Sequence, residues 1–309
     1  MASCHFSKLK GSARHVGGIS VQHGISHAKS MICFSNTELD WLEIRQDELW
    51  DEVNYFVIVE AATTFQEGTK PLCLLDNWSQ FQPIHSKMIH HVANMTGANL
   101  PPGDSWEHER YIRNALFDQA LVSLSGNQAP TKGDVLLVSD VDEVPRISTL
   151  QVLRNCAYPP PVTLRSQFYY YSFQWQHRGE QWAHPQATYC NGVTSTIRPE
   201  DLRNGIPDRE ILNAGWHCSS CMPSLNNIVT KITSFSHKGY NQPYFTHRGR
   251  LLNAVSYGLD IFERPKETYD RIDDNPDVPT YLKQKEAREK FAYTLNRDPM
   301  SANIQDADR

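Results

Sequence analysis

The run Val135-Leu136-Leu137-Val138-Ser139-Asp140-Val141-Asp142-Glu143-Val144-Pro145 decides the fold. Four apolar residues lead into an acidic cluster that Pro145 closes. An unbroken aliphatic run of this length reads as a strand buried on both faces, as in mainly parallel α/β sheets flanked by helices. In open sheets of that type ligands bind beyond the carboxyl ends of the strands. The strand thus delivers Asp140, Asp142 and Glu143 to the edge where chemistry usually happens. Alternation along an extended chain points Asp140 and Asp142 the same way. Two carboxylates held close repel unless a proton or a cation sits between them. Oxygen-only ligands with open positions suit magnesium or manganese bridging a substrate phosphate. A solvated acidic loop is the alternative that D-x-D alone leaves open.

The rest of the composition bounds the answer. A chain of 309 residues, 39% hydrophobic and 21% charged with seven tryptophans, is long enough for one large core or two modest domains. A net charge of -5 without a basic tract gives no reason to expect nucleic-acid binding. No apolar run approaches the ~20 residues that span a bilayer. Residues 1–30, rich in His, Ser and Gly, read as a disordered leader without a signal-peptide segment, and residues 299–309 as a disordered tail. The seven cysteines are odd in number, and Cys218 and Cys221 form the one close pair. A lone C-x-x-C is not a zinc ribbon, so a disulfide or two buried thiols are the readings left.

Outward from the central run, residues 31–34 read as a short strand and 39–53 as an amphipathic helix. Residues 55–60 form a second buried strand ending in Glu60, either a ligand or a strand-end charge. The polar loop behind it carries Thr64 and Lys70, and helix, strand and polar loop together fit a nucleotide-binding α/β unit. A strand over 84–92 and a helix from about 104 to 124 follow, the helix bearing Trp106, Glu109, Arg110 and Arg113 at its front end. Residues 147–155 read as a short helix, and Pro159-Pro160-Pro161 breaks the chain. The aromatic strand 162–175, with Tyr170 and Trp175, suits either core packing or stacking on sugar rings. Residues 187–198 read as a strand pair, 199–209 as a loop, 228–236 as a helix and 281–295 as a charged, mostly solvated helix. His237 is either a third ligand for a carboxylate-held metal or a surface histidine, and Lys238 could neutralise phosphate.

Together these segments resemble glycosyltransferase family 17, the β-1,4-mannosyl-glycoprotein 4-β-N-acetylglucosaminyltransferases. The resemblance lies in residues 34–45 (FSNTELDWLEIR), 56–60 (FVIVE), Thr64-Phe65, Lys70-Pro71-Leu72, Trp106 with Tyr111 and Arg113, residues 139–145 (SDVDEVP) and 214–221 (AGWHCSSC). It implies a GT-A-like (Rossmann-like) α/β fold and an inverting transfer of GlcNAc from UDP-GlcNAc. The acceptor implied is a β-linked mannose of an N-glycan core, joined in a bisecting-type β-1,4 linkage. The metal, Mn2+ or Mg2+, would sit on Asp140 and Asp142 with His237. Donor contacts would come from Glu60, Thr64, Lys70, Arg113, Asp140, Glu143 and Lys238. Acceptor contacts would come from Tyr170, Trp175, Trp216 and His217. Asp208 and Glu210 are the residues expected to supply the general base. The family's animal members are Golgi proteins with a membrane anchor, so the resemblance implies a Golgi or secretory lumen although no anchor is visible here. One catalytic domain over 31–298 is expected, with a donor half at about 31–158 and an acceptor half at about 162–298. Two other readings of the motif are a haloacid-dehalogenase-type phosphatase with Asp140 as nucleophile and a non-catalytic carbohydrate-binding protein.

Overall fold

The computed structural model describes residues 28–33, 37–192, 194–205, 209–297 and 303–307. The central run forms strand β4 (Val135–Asp140), and its side chains alternate between two separate cores. Val135 and Leu137 enter one core, Leu136 and Val138 the other. Strand β2 (Tyr55–Glu60) divides in the same way, Phe56 and Ile58 against Val57 and Val59. That double burial is what an uninterrupted aliphatic run demands, and each such side chain contributes roughly 1.5–3 kcal/mol. The first core is covered by helix Leu39–Leu49 through Trp41, Leu42 and Ile44. The second is covered by helix Ser105–Ala115 and the turns that continue it, through Ile112, Leu116 and Ala120. Asp104 caps the latter helix, accepting from the backbone N–H groups of Trp106 and Glu107, each at 3.2 Å.

Strands β1 (Ala28–Cys33), β2, β3 (Met88–Val92) and β4 pair in parallel in the order β3-β2-β1-β4. The carboxyl half adds β5 (Glu143–Pro145), β6 (Val162–Tyr170), β7 (Ser172–His177), β8 (Gln186–Tyr189), β9 (Glu210–Ser219) and β10 (Tyr269–Arg271). β8 joins antiparallel to β4 and the sheet runs on through β6 and β7 to β10, while β9 lies parallel to β6 and antiparallel to β5. The result is the α/β, GT-A-like arrangement, a central sheet flanked by helices.

Several local expectations change. Residues 199–209, read as a loop, contain helix Pro199–Asn204, and residues 187–198 supply one strand, not two. Residues 281–295, read as one solvated helix, form three short helical pieces, Tyr281–Lys283, Lys285–Lys290 and Ala292–Leu295, with Phe291, Tyr293 and Leu295 buried. Of the expected leader 1–30, residues 28–30 instead open strand β1 and the rest lies outside the described residues, and within the tail Asp306 accepts from Leu225 N at 2.7 Å.

Candidate functional site

A turn at Val141–Asp142 links β4 to β5 at the carboxyl edge of the parallel strands, and Arg45 fixes it from behind. Arg45 is fully buried in helix Leu39–Leu49 and donates to Ser139 Oγ at 2.7 Å, to Asp140 O at 3.4 Å and to Glu143 O. Burial lowers its guanidinium to about 10, so it stays cationic at neutral pH beside three carboxylates. Gly215 presses β9 onto β5, since a Cβ there would meet Val144 O at 2.6 Å. That approach sets His217 opposite Glu143 in the β5–β9 register.

The acidic cluster opens into a cleft of about 880 Å³, within the size range of ligand sites. Asp140 and Asp142 both line it, each held through one oxygen. Arg203 donates to Asp140 Oδ2 at 2.7 Å, and Lys231 to Asp142 Oδ2 at 2.9 Å. The other oxygens are looser: Asp140 Oδ1 is 3.5 Å from Arg113, and Asp142 Oδ1 is 3.5 Å from His217 Nδ1. Arg203 also forks onto Glu143 at 2.7 and 2.8 Å, while Trp182 Nε1 and Asp140 N donate to the same carboxylate at 2.7 and 2.9 Å. Burial alone would push the Glu143 carboxyl up, but the Arg203 guanidinium outweighs it and holds the group well below the usual range. Glu38 shares Lys231 at 2.7 Å, and burial raises its carboxyl. Glu109 is also raised by burial, with Arg113 and the Ser236 hydroxyl as its partners. His217 stacks against Phe168 and Trp182, with ring centroids 5.1 and 4.8 Å away, and forms the aromatic wall beside Asp142.

Of the expected site residues, Arg113, Asp140, Asp142, Tyr170, His217 and His237 line the cleft. Glu143 braces it from beneath, fully buried. The other expected residues sit elsewhere. The Glu60 carboxylate accepts from Leu74 N at 2.9 Å and lies 3.2 Å from His90, so it caps a helix start outside the cleft. Thr64 closes a local turn by accepting from Gly68 N at 3.0 Å, and Lys70 is buried outside the cleft. Lys238 donates to Gly103 O in a neighbouring groove. Trp175 packs on Gly258, whose φ of 63° places the backbone against the indole. Trp216 points opposite to His217, as strand alternation requires; it donates to Asp277 at 3.0 Å beneath Arg146. Glu210 is paired to Arg165 at 2.7 Å and does not line the cleft, and Asp208 lies outside the described residues. Cys218 and Cys221 are joined by a disulfide.

The sequence reading passed over Arg45, Glu38, Lys231, Arg203 and Trp182. Arg203 had a local signal, because Pro199-Glu200-Asp201 is a helix start with proline at its first turn. The others reach the site through tertiary contacts alone.

Among the described residues no three His, Cys, Asp or Glu side chains come together to hold a metal. His237 instead meets the edge of Trp106, with ring centroids 4.7 Å apart, away from the aspartates. The Oδ1 atoms of Asp140 and Asp142 still fit a hard cation that takes its remaining ligands from phosphate oxygens and water. The phosphatase alternative fits less well, because Asp140 is engaged by arginines and Asp273 and Asp274 lie outside the cleft.

Among described residues no helix is long and apolar enough to cross a membrane. Comparison with known proteins finds the human β-1,4-mannosyl-glycoprotein 4-β-N-acetylglucosaminyltransferase 30% identical over 151 residues, which are 47% of this chain and 27% of that protein. The Rattus norvegicus protein of the same name matches equally, and the Mus musculus one is 29% identical over the same length. This chain therefore aligns with less than a third of those relatives' length. The model of Glycosyltransferase family 17 matches residues 16–293, and with the α/β fold and the acidic cleft at the end of β4 the chain belongs to that family.

Proposed function

We propose that the chain is an inverting N-acetylglucosaminyltransferase that takes GlcNAc from UDP-GlcNAc and joins it β-1,4 to a β-linked mannose of an N-glycan core. The observation that carries the reading is the pair Asp140 and Asp142 in the cleft at the end of β4, each with one oxygen engaged by a protein cation and one left looser. A divalent ion, when bound there, supplies Lewis-acid stabilisation of charge growing on the UDP leaving group. Arg203 and Lys231 orient the two aspartates, and Arg113 adds positive charge beside Asp140. The wall of Phe168, Trp182 and His217 gives an apolar ring surface of the kind sugars stack on. The halves before and after Pro159–Pro161 are read as donor and acceptor sides. A secretory lumen is the proposed location, consistent with the Cys218–Cys221 disulfide, which oxidising compartments favour.

The test is transfer from UDP-GlcNAc to a core N-glycan ending in β-mannose, followed by mass spectrometry. A mass gain of one GlcNAc that EDTA stops and manganese restores is expected. Transfer indifferent to EDTA would remove the metal, and no product with this donor would remove the activity.

A further inference from the structure

Inversion requires a base for the acceptor hydroxyl, and six of the eight carboxylates lining the cleft are paired to a lysine or an arginine, while a seventh, Glu267, sits against an imidazole. Lys231 holds Glu38 and Asp142, and Arg203 holds Asp140. Arg113 holds Glu109 and Glu200, Arg110 holds Glu107, and Glu267 lies 3.0 Å from His177. The eighth, Glu180, is exposed and makes no ion pair or side-chain hydrogen bond with the described residues. A carboxylate already held by a neighbouring group must give up that contact to take the acceptor's proton, so the free one is favoured.

The turn that carries Glu180 is tied on both sides. Before it, Arg178 N donates to Thr268 O at 3.0 Å, and Gly179 closes over His177, where a Cβ would lie 2.3 Å from the imidazole. After it, Gln181 O accepts from Arg165 at 3.1 Å, and Trp182 is held by Ser166 and by Glu143. Fixed backbone with a free side chain is the arrangement a positioned base needs. Two residues on, the Trp182 indole reaches the acidic cluster, so the turn borders the place where donor and acceptor would meet.

Resting on the transferase reading above, we infer that Glu180 is the general base. The acceptor hydroxyl gives its proton to the Glu180 carboxylate as its oxygen bonds to C1 of GlcNAc. The C1–O bond to UDP breaks with its electron pair leaving on the diphosphate, and protonated Glu180 then returns its proton to water.

The test compares wild type with Glu180→Gln, using calorimetric binding of UDP-GlcNAc with manganese, transfer kinetics, and donor turnover with sodium azide. Azide is already anionic and needs no base. Glu180→Gln should bind donor like wild type, lose about 10²- to 10⁴-fold in kcat, and turn over donor faster as azide is added, forming β-GlcNAc azide. Wild-type kcat in the variant, a parallel loss of donor affinity, or no response to azide would overturn the assignment. Absence of donor binding by wild type would overturn the transferase reading with it.

Discussion

Replacing Arg203 with methionine keeps the aliphatic stem and removes the cation from beneath the acidic cluster. Glu143, fully buried, would lose two hydrogen bonds and its only ion pair among the described residues, and Asp140 would lose its closest one there. Trp182 and Asp140 N would still donate to Glu143. Removing one partner of a buried pair costs about 3–5 kcal/mol, because the charge left behind stays desolvated. A chain of about 300 residues shifts roughly 1.5 °C in Tm per kcal/mol, so the expected loss is about 5–8 °C. The pH dependence gives a second check. In wild type the Glu143 carboxyl is held low, so its contribution is full above the ordinary carboxylate range and is lost as pH falls through the folded value. In Arg203→Met burial dominates and raises the same group, so protonation relieves the variant. The stability gap should therefore start to close above pH 4.5, as the variant takes up its proton, and close further below it as wild type loses its contribution. Differential scanning fluorimetry from neutral to acid pH measures both effects. Arg203→Met/Glu143→Gln should recover much of the loss, since the uncompensated charge is gone. An unchanged Tm, or a gap that widens in acid, would refute the reasoning.

Other predictions follow from the same contacts. Glu60→Gln should lower stability by about 1–2 kcal/mol, as for a lost cap, while leaving the Kd for UDP-GlcNAc unchanged; a weakened Kd would return Glu60 to the donor site. Burial pushes His184 down to about 4, so the unfolded chain binds its proton first and stability should fall as pH drops from about 6.5 towards 4. His184→Gln should flatten that slope in acid titrations of urea midpoints, and an unaltered slope would contradict the assignment. Cys218 and Cys221 should resist iodoacetamide until a reductant is added, as read by peptide mapping; labelling of both without reductant would contradict the bond.

The fold was legible where one physical signal dominated. The run 135–138 could be buried on both faces only between two helix layers, and Leu136 and Leu137 sit in the two cores accordingly. Helix 147–155 and the strand through Glu60 were read directly from spacing. Glu60 itself misled, since a strand-end carboxylate looks the same whether it meets a ligand or, as here, the start of helix Cys73–Asp76. Trp216 misled for a related reason: strand alternation says that it and His217 face opposite sides but not which side holds the cleft. Lys231 and Glu38 are 193 positions apart in the chain and meet only through folding, so no local pattern announces them. Glu180 carries no motif and becomes visible only when its neighbours' charges are matched off.

The measurement that tests the central claim most directly is calorimetry of UDP-GlcNAc binding, with and without manganese, on wild type and Asp142→Ala. Wild type should bind, more tightly with manganese, and the variant should lose that binding while keeping its fold by circular dichroism. Equal binding by both proteins would show that the acidic cluster at the end of β4 is not the donor site.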